Sequence, residues 1–169
     1  VAAAVKSILA NKPDAIVQIS AYRSCAAFIR EARKAGFVGT FYNVSFVGTA
    51  ALANELGPDA RGVVVSQVMP FPFAPKTPLV GEYLAAGKAE MGEQFEPNYS
   101  SIEGYIAARV IAEGFRRGGT PTPENLVNGL EALRDFNLGG FYVDFSPTKH
   151  SGSKFVDLTI LSIGGKVRR

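Results

Sequence analysis

The stretch KPDAIVQISAYRSCAAFIREARKAGFVGTFYNVS, from Lys12 to Ser45, decides the fold. Pro13-Asp14 breaks any preceding helix. AIVQIS is a short apolar run rich in β-branched residues, the signature of a buried parallel strand. Ser20-Ala21-Tyr22 turns out of it. Residues 22–35 set Ala27, Phe28, Ala32 and Ala35 on one side and Arg, Glu and Lys on the other, which predicts an amphipathic helix. Gly36 ends it. TFYNVS then predicts a second strand.

Outward from this core the alternation continues. Upstream, Val1 to Asn11 places Val1, Val5, Ile8 and Leu9 at helical spacing. Downstream, residues 49–56 predict a short helix with Thr49 as its cap, and RGVVVSQVMP, residues 61–70, predicts a third strand. Strand–helix–strand–helix–strand implies right-handed βαβ units and a parallel sheet. Such sheets bind ligands beyond the carboxyl ends of their strands, here Ser20–Tyr22, Asn43–Gly48 and Val68–Pro72.

Pro70 to Pro78 carries four prolines in nine residues and is neither helix nor central strand. It reads as a stiff crossing segment and a domain boundary. Three helical stretches follow, at Leu79–Glu93, Ser101–Arg117 and Pro123–Arg134. Three successive helices need a layer to cover, and nothing obvious in the sequence supplies one. GGFYVDFSP and SKFVDLTILSIGGKVRR then predict two strands joined by a turn around Pro147–Gly152.

Composition narrows the chemistry. With 47% apolar and 20% charged residues the chain of 169 is globular. The net charge of +3 is spread out apart from Arg116-Arg117 and the basic tail, so no nucleic-acid stripe is expected. Cys25 and His150 are the only residues of their kinds. That argues against a disulfide, a zinc site and a nucleophile–His machine. Cys25 reads as a buried inert thiol, and His150 as a surface turn residue. Glu31, Glu90 and Glu113 read as solvated. No catalytic residue, metal or cofactor is assigned.

The phrases KPDAIVQISAYRSCAAFIREARKAG, TFYNVSFVG, ARGVVVSQVMPFP, SSIEGYIAARVIAEGFRRGG and LGGFYVDFSPTKHSGSKFVDLTIL, in that order, resemble the leucine/isoleucine/valine-binding receptors. The resemblance covers nearly the whole chain and carries no short catalytic motif. It implies an α/β chain: a parallel-sheet, three-layer lobe of a type I periplasmic-binding fold, lacking its N-terminal part. The implied organisation is a second-lobe segment at residues 1–70, a hinge at 71–78, first-lobe helices at 79–136 and returning strands at 137–169. Pro70–Pro78 and Phe136–Gly140 are the candidate hinge strands.

The function implied is a periplasmic, non-enzymatic receptor of an ABC importer. It binds a small organic ligand in an interlobe cleft and presents it to an inner-membrane permease. A ligand-sensing regulatory domain of the same fold is the alternative. An exposed lobe face would also let the fragment dimerise. The candidate ligand contacts are Ser20, Ala21, Tyr22, Ser45, Phe46 and Tyr99. Tyr22 offers a ring and a hydroxyl, Ser20 and Ala21 backbone N–H groups, and Phe46 a stacking wall or a core residue. Amino-acid-binding members often carry a carboxylate where this chain has Ser45. A serine does not neutralise a buried ammonium, so an apolar or aromatic carboxylate stands beside an amino acid as the ligand. Tyr99, with Ser100 and Glu103, opens the helix whose start faces the cleft in that family.

Overall fold

A computed structural model describes the backbone of residues 1–169 and every side chain but that of Ile163. The chain divides into two compact units, Val1–Val68 with Val156–Arg169, and Met69–Phe155.

Unit 1 holds α1 (Ala2–Leu9), β1 (Ala15–Gln18), α2 (Tyr22–Lys34), β2 (Thr40–Asn43), α3 (Thr49–Leu56) and β3 (Val64–Gln67). Strands β1, β2 and β3 are parallel neighbours, as the βαβ reading predicted. The sheet is completed from the far end of the chain. β6 (Asp157–Leu161) lies antiparallel against β3, and β7 (Val167–Arg168) antiparallel against β6, giving the order β1-β2-β3-β6-β7.

One face of this sheet meets the helices. Ile16, Phe41, Val65 and Leu161 join Cys25, Ile29 and Ala32 of α2 and Leu52, Ala53 and Leu56 of α3 in one core. Burial of each large aliphatic side chain contributes about 1.5–3 kcal/mol. Side chains of a strand alternate between faces, so Val17, Tyr42, Leu158 and Ile160 point the other way and are exposed, Val17 at 70%.

The strands are shorter than their apolar runs. β2 stops at Asn43 because Ser45–Val47 winds into a 3-10 turn that ends at Gly48, φ 74°. A left-handed residue there needs glycine. Helix α3 has the predicted limits but not the predicted cap. Gly48 is the N-cap, and the hydroxyl of Thr49 accepts a hydrogen bond from Gln67 instead.

Unit 2 holds α4 (Pro78–Met91), α5 (Tyr99–Gly118), α6 (Pro123–Glu131) and a small antiparallel ribbon of β4 (Phe136–Asn137) and β5 (Tyr142–Val143). Each helix starts on a capping side chain: Thr77, Asn98 and Thr122 accept from Val80, Ser101 and Asn125. The layer that the three helices lacked in the sequence comes from later residues. Leu133, Leu138, Phe141 and Val143 close a core with Leu79, Val80, Tyr83, Ile102, Ile106 and Val110. The two terminal strand segments do not pair with one another. The first is part of unit 2 and the second belongs to the sheet of unit 1. Phe136–Gly140 lies within unit 2, and the chain returns to unit 1 at Val156.

Candidate functional site

The three parallel strands read AIVQ, TFYN and VVSQ, so each ends on a carboxamide side chain. Gln18 pairs in register with Asn43, and Asn43 with Val65. Loops leaving neighbouring parallel strands at one end emerge about 4.8 Å apart. The sheet therefore carries Ser20–Tyr22 and Ser45–Phe46 side by side at its carboxyl edge.

In the first loop Ala21 is extended (φ −71°, ψ 158°) and forms the N-cap of α2. Its carbonyl accepts from the Cys25 N–H at 3.1 Å, and the Ser20 carbonyl accepts from Cys25 Sγ at 3.4 Å. Burial pushes the Cys25 thiol up from its ordinary pKa, partly opposed by that bond to Ser20. The inert-thiol reading thus has a physical basis. Tyr22 is half-buried against the core, and the Arg23 guanidinium lies 5.7 Å from its ring centre. Ser20 also borders a recess on the outer side of β1, with Ile16, Gln18, Ile19 and Cys25.

In the second loop Ser45 is half-buried, whereas Phe46 is 77% exposed. Exposure of that size removes the core reading of Phe46 within unit 1. The turn holds itself by two bonds, Val47 N–H to Val44 O at 3.0 Å and Gly48 N–H to Ser45 O at 3.1 Å. Segments Gln18–Arg23 and Asn43–Thr49 contain no carboxylate, and their one charged side chain is Arg23.

Beneath these loops lies a polar layer that sequence reasoning missed. Asn43 and Gln67 are 2% and 1% exposed. Asn43 Nδ2 donates to Val64 O at 3.4 Å, while Asn43 Oδ1 and Gln18 Oε1 are buried with no partner among the described residues. The signal was present: a carboxamide closing each of three apolar runs.

Tyr99 belongs to unit 2, where it is the first residue of α5. Its ring meets Phe73 edge-on at 6.1 Å, and Phe73 meets Phe71 at 5.1 Å. Glu103 is exposed on the same first turns. The other sequence-read polar residues lie elsewhere. His150 is exposed, but its Nε2 sits 2.9 Å from Glu131 Oε1, a neighbour that their separation of 19 residues hid. Glu113 is not simply solvated. Arg116 and Arg117 hold its carboxyl down at about 2. Among the described residues no group of three His, Cys, Asp or Glu side chains could hold a metal ion. No described helix is long and apolar enough to cross a membrane.

The sequence profile of the periplasmic binding proteins matches residues 1–162. The chain belongs to the periplasmic binding protein family. The resemblance to the leucine/isoleucine/valine-binding receptors and the type I fold read from the phrases are thereby borne out. Among solved structures, the chain is 29% identical to a possible leucine/isoleucine/valine-binding protein from Rhodopirellula baltica, with a TM-score of 0.87 over 97% of this chain and 45% of that one. It is 28% identical to an extracellular ligand-binding receptor from Verminephrobacter eiseniae, TM-score 0.85, over 99% and 48%. It is 30% identical to a substrate-binding periplasmic protein from Ralstonia solanacearum, TM-score 0.84, over 98% and 48%. No curated protein matches the chain. The chain thus spans about half the length of these structures. Membership implies an extracytoplasmic location.

Proposed function

We propose that the complete protein is the periplasmic solute receptor of an ABC importer, taking a small organic molecule and delivering it to an inner-membrane permease without covalent chemistry. The observation that carries this reading is the pair of loops at the carboxyl edge of β1 and β2, within a family of binding proteins. Ser20 and Ala21 supply backbone groups, Ser45 a hydroxyl, and Tyr22 and Phe46 aromatic faces. Tyr99, in unit 2, is retained as a further candidate contact.

The ligand is an amino acid or an apolar or aromatic carboxylate. The absence of an acid from both loops favours the second, since an ammonium held here would lack a counter-charge on these two loops. Arg23 beside Tyr22 is matched to an anion over an aromatic ring.

The test uses the full-length protein with L-leucine, L-phenylalanine, 4-methylpentanoate and 3-phenylpropanoate. A ligand at 100 times its Kd stabilises the fold by about 2.7 kcal/mol. Phe46→Ala should weaken binding about tenfold or more and leave the melting temperature of the free protein nearly unchanged, because an exposed ring contributes little to folding. If no member of the panel, nor a wider set of amino and aromatic acids, raises the melting temperature, the receptor reading fails.

A further inference from the structure

Gln67 sits where three segments of unit 1 meet. Its Nε2 donates to Thr49 Oγ1 at 2.9 Å and to Thr159 Oγ1 at 2.8 Å. Thr159 Oγ1 in turn donates to Val65 O at 3.1 Å. The three side chains are 1%, 4% and 2% exposed, so water does not compete for these bonds. A buried amide of this kind is costly to leave unpaired, and its bonds fix orientation in a way that apolar packing does not.

Each partner has a distinct place. Thr49 opens α3 directly behind Gly48 and the Ser45–Val47 turn. Gln67 is the last residue of β3, and the chain leaves unit 1 just beyond it, after Val68. Thr159 is in β6, shortly after the chain re-enters unit 1 at Val156. The turn that carries Ser45 and Phe46 is otherwise held by its own backbone bonds and by one core side chain. Phe46 packs on no core, and Val47 is its one buried side chain.

We infer that Gln67 is a positioning residue. It ties the candidate binding turn to the two segments by which the chain passes out of and back into unit 1. A shift of either segment is then transmitted to Ser45 and Phe46, and a ligand held at the turn restrains both segments. The role rests on the reading of Ser45 and Phe46 as ligand contacts; the tie itself does not.

Hydrogen exchange in the full-length protein tests it without a ligand. The variants are Gln67→Met, which keeps the volume and removes both bonds, and Thr159→Val, which alters a residue two strands from β2 in the sheet and joined to Thr49 by side-chain bonds only through Gln67. In both, the amides of Val47, Gly48 and Leu52 should exchange about tenfold faster, as expected for one or two lost buried hydrogen bonds. Those of Ile29 and Ala32 in α2 should be unchanged. Turn amides that exchange at the wild-type rate in either variant overturn the inference. So does an equal acceleration in α2, which would report general loosening. A receptor that binds nothing sinks the proposed function and leaves this result standing. Flat exchange with binding intact sinks the tie alone.

Discussion

Helices α5 and α6 cross so closely that a single methyl group should push them apart. An ideal Cβ on Gly129 would overlap the carbonyl oxygen of Gly114 and lie 2.8 Å from the nitrogen of Gly118. Both obstacles are backbone, so no rotamer change relieves them. Gly114 is itself covered by Leu126 and Leu130, whose side chains lie 2.8–2.9 Å from where its Cβ would be. Gly129→Ala must therefore separate the helices and thin the leucine contacts. Overpacking of this kind costs about 1–3 kcal/mol, and the rigid backbone obstacle sets the cost near the upper end. Alanine returns up to about 1 kcal/mol in helix propensity. The net expectation is a loss of about 2 kcal/mol. Gly104, also in α5, is exposed and has nothing within 4 Å of an added Cβ. There the same substitution should stabilise by about 0.5–1 kcal/mol. Urea denaturation of both variants, monitored by circular dichroism, reads the two signs directly. Gly129→Ala as stable as wild type, or Gly104→Ala as damaging as Gly129→Ala, would refute the reasoning.

Three further outcomes follow from unit cores and ion pairs. Leu52 of α3 is fully buried in the core of unit 1, so Leu52→Ala should lose about 2–5 kcal/mol in the same denaturation assay. Glu113 accepts from Arg116 and Arg117 at 2.7 Å, which lowers its carboxyl from 4.5 to about 2. A depressed carboxyl contributes stability that is present above pH ~4.5 and fades as pH falls towards ~2. Glu113→Gln should flatten that part of the pH–stability curve. The arginines are partly solvated, so the effect should stay below about 1 kcal/mol. Cys25 is 1% exposed with its pKa raised by burial. The native protein at pH 7.5 should resist iodoacetamide, as seen by mass spectrometry, and react on unfolding.

The candidate site was legible in its placement more than in its chemistry. Strand ends and turn residues gave the positions of Ser20–Tyr22 and Ser45–Phe46, because parallel strands deliver their loops to one edge whatever the details. Exposure separated Phe46 from the core, and exposure depends on how far β2 runs before the 3-10 turn takes over. Thr49 read as a cap because local rules consider only its own helix. Its actual partner, Gln67, is 18 residues away across the sheet.

By itself the sequence determined the βαβ alternation, the limits of α3 and the poverty of reactive side chains. These rest on periodicity and turn chemistry, which act over a few residues. It did not determine the inward face of α2: the spacing sets Ala27, Phe28, Ala32 and Ala35 inward, whereas the structure buries Cys25, Ala26, Ile29 and Ala32. Only the tertiary structure decided that β6 returns antiparallel to β3, with Thr159 bonded to Gln67 across 92 residues. It alone showed that the three helices of unit 2 find their cover in Leu133 to Val143, and that Glu131 stands beside His150. Contacts between distant segments depend on where the chain comes back, and no local pattern encodes that return.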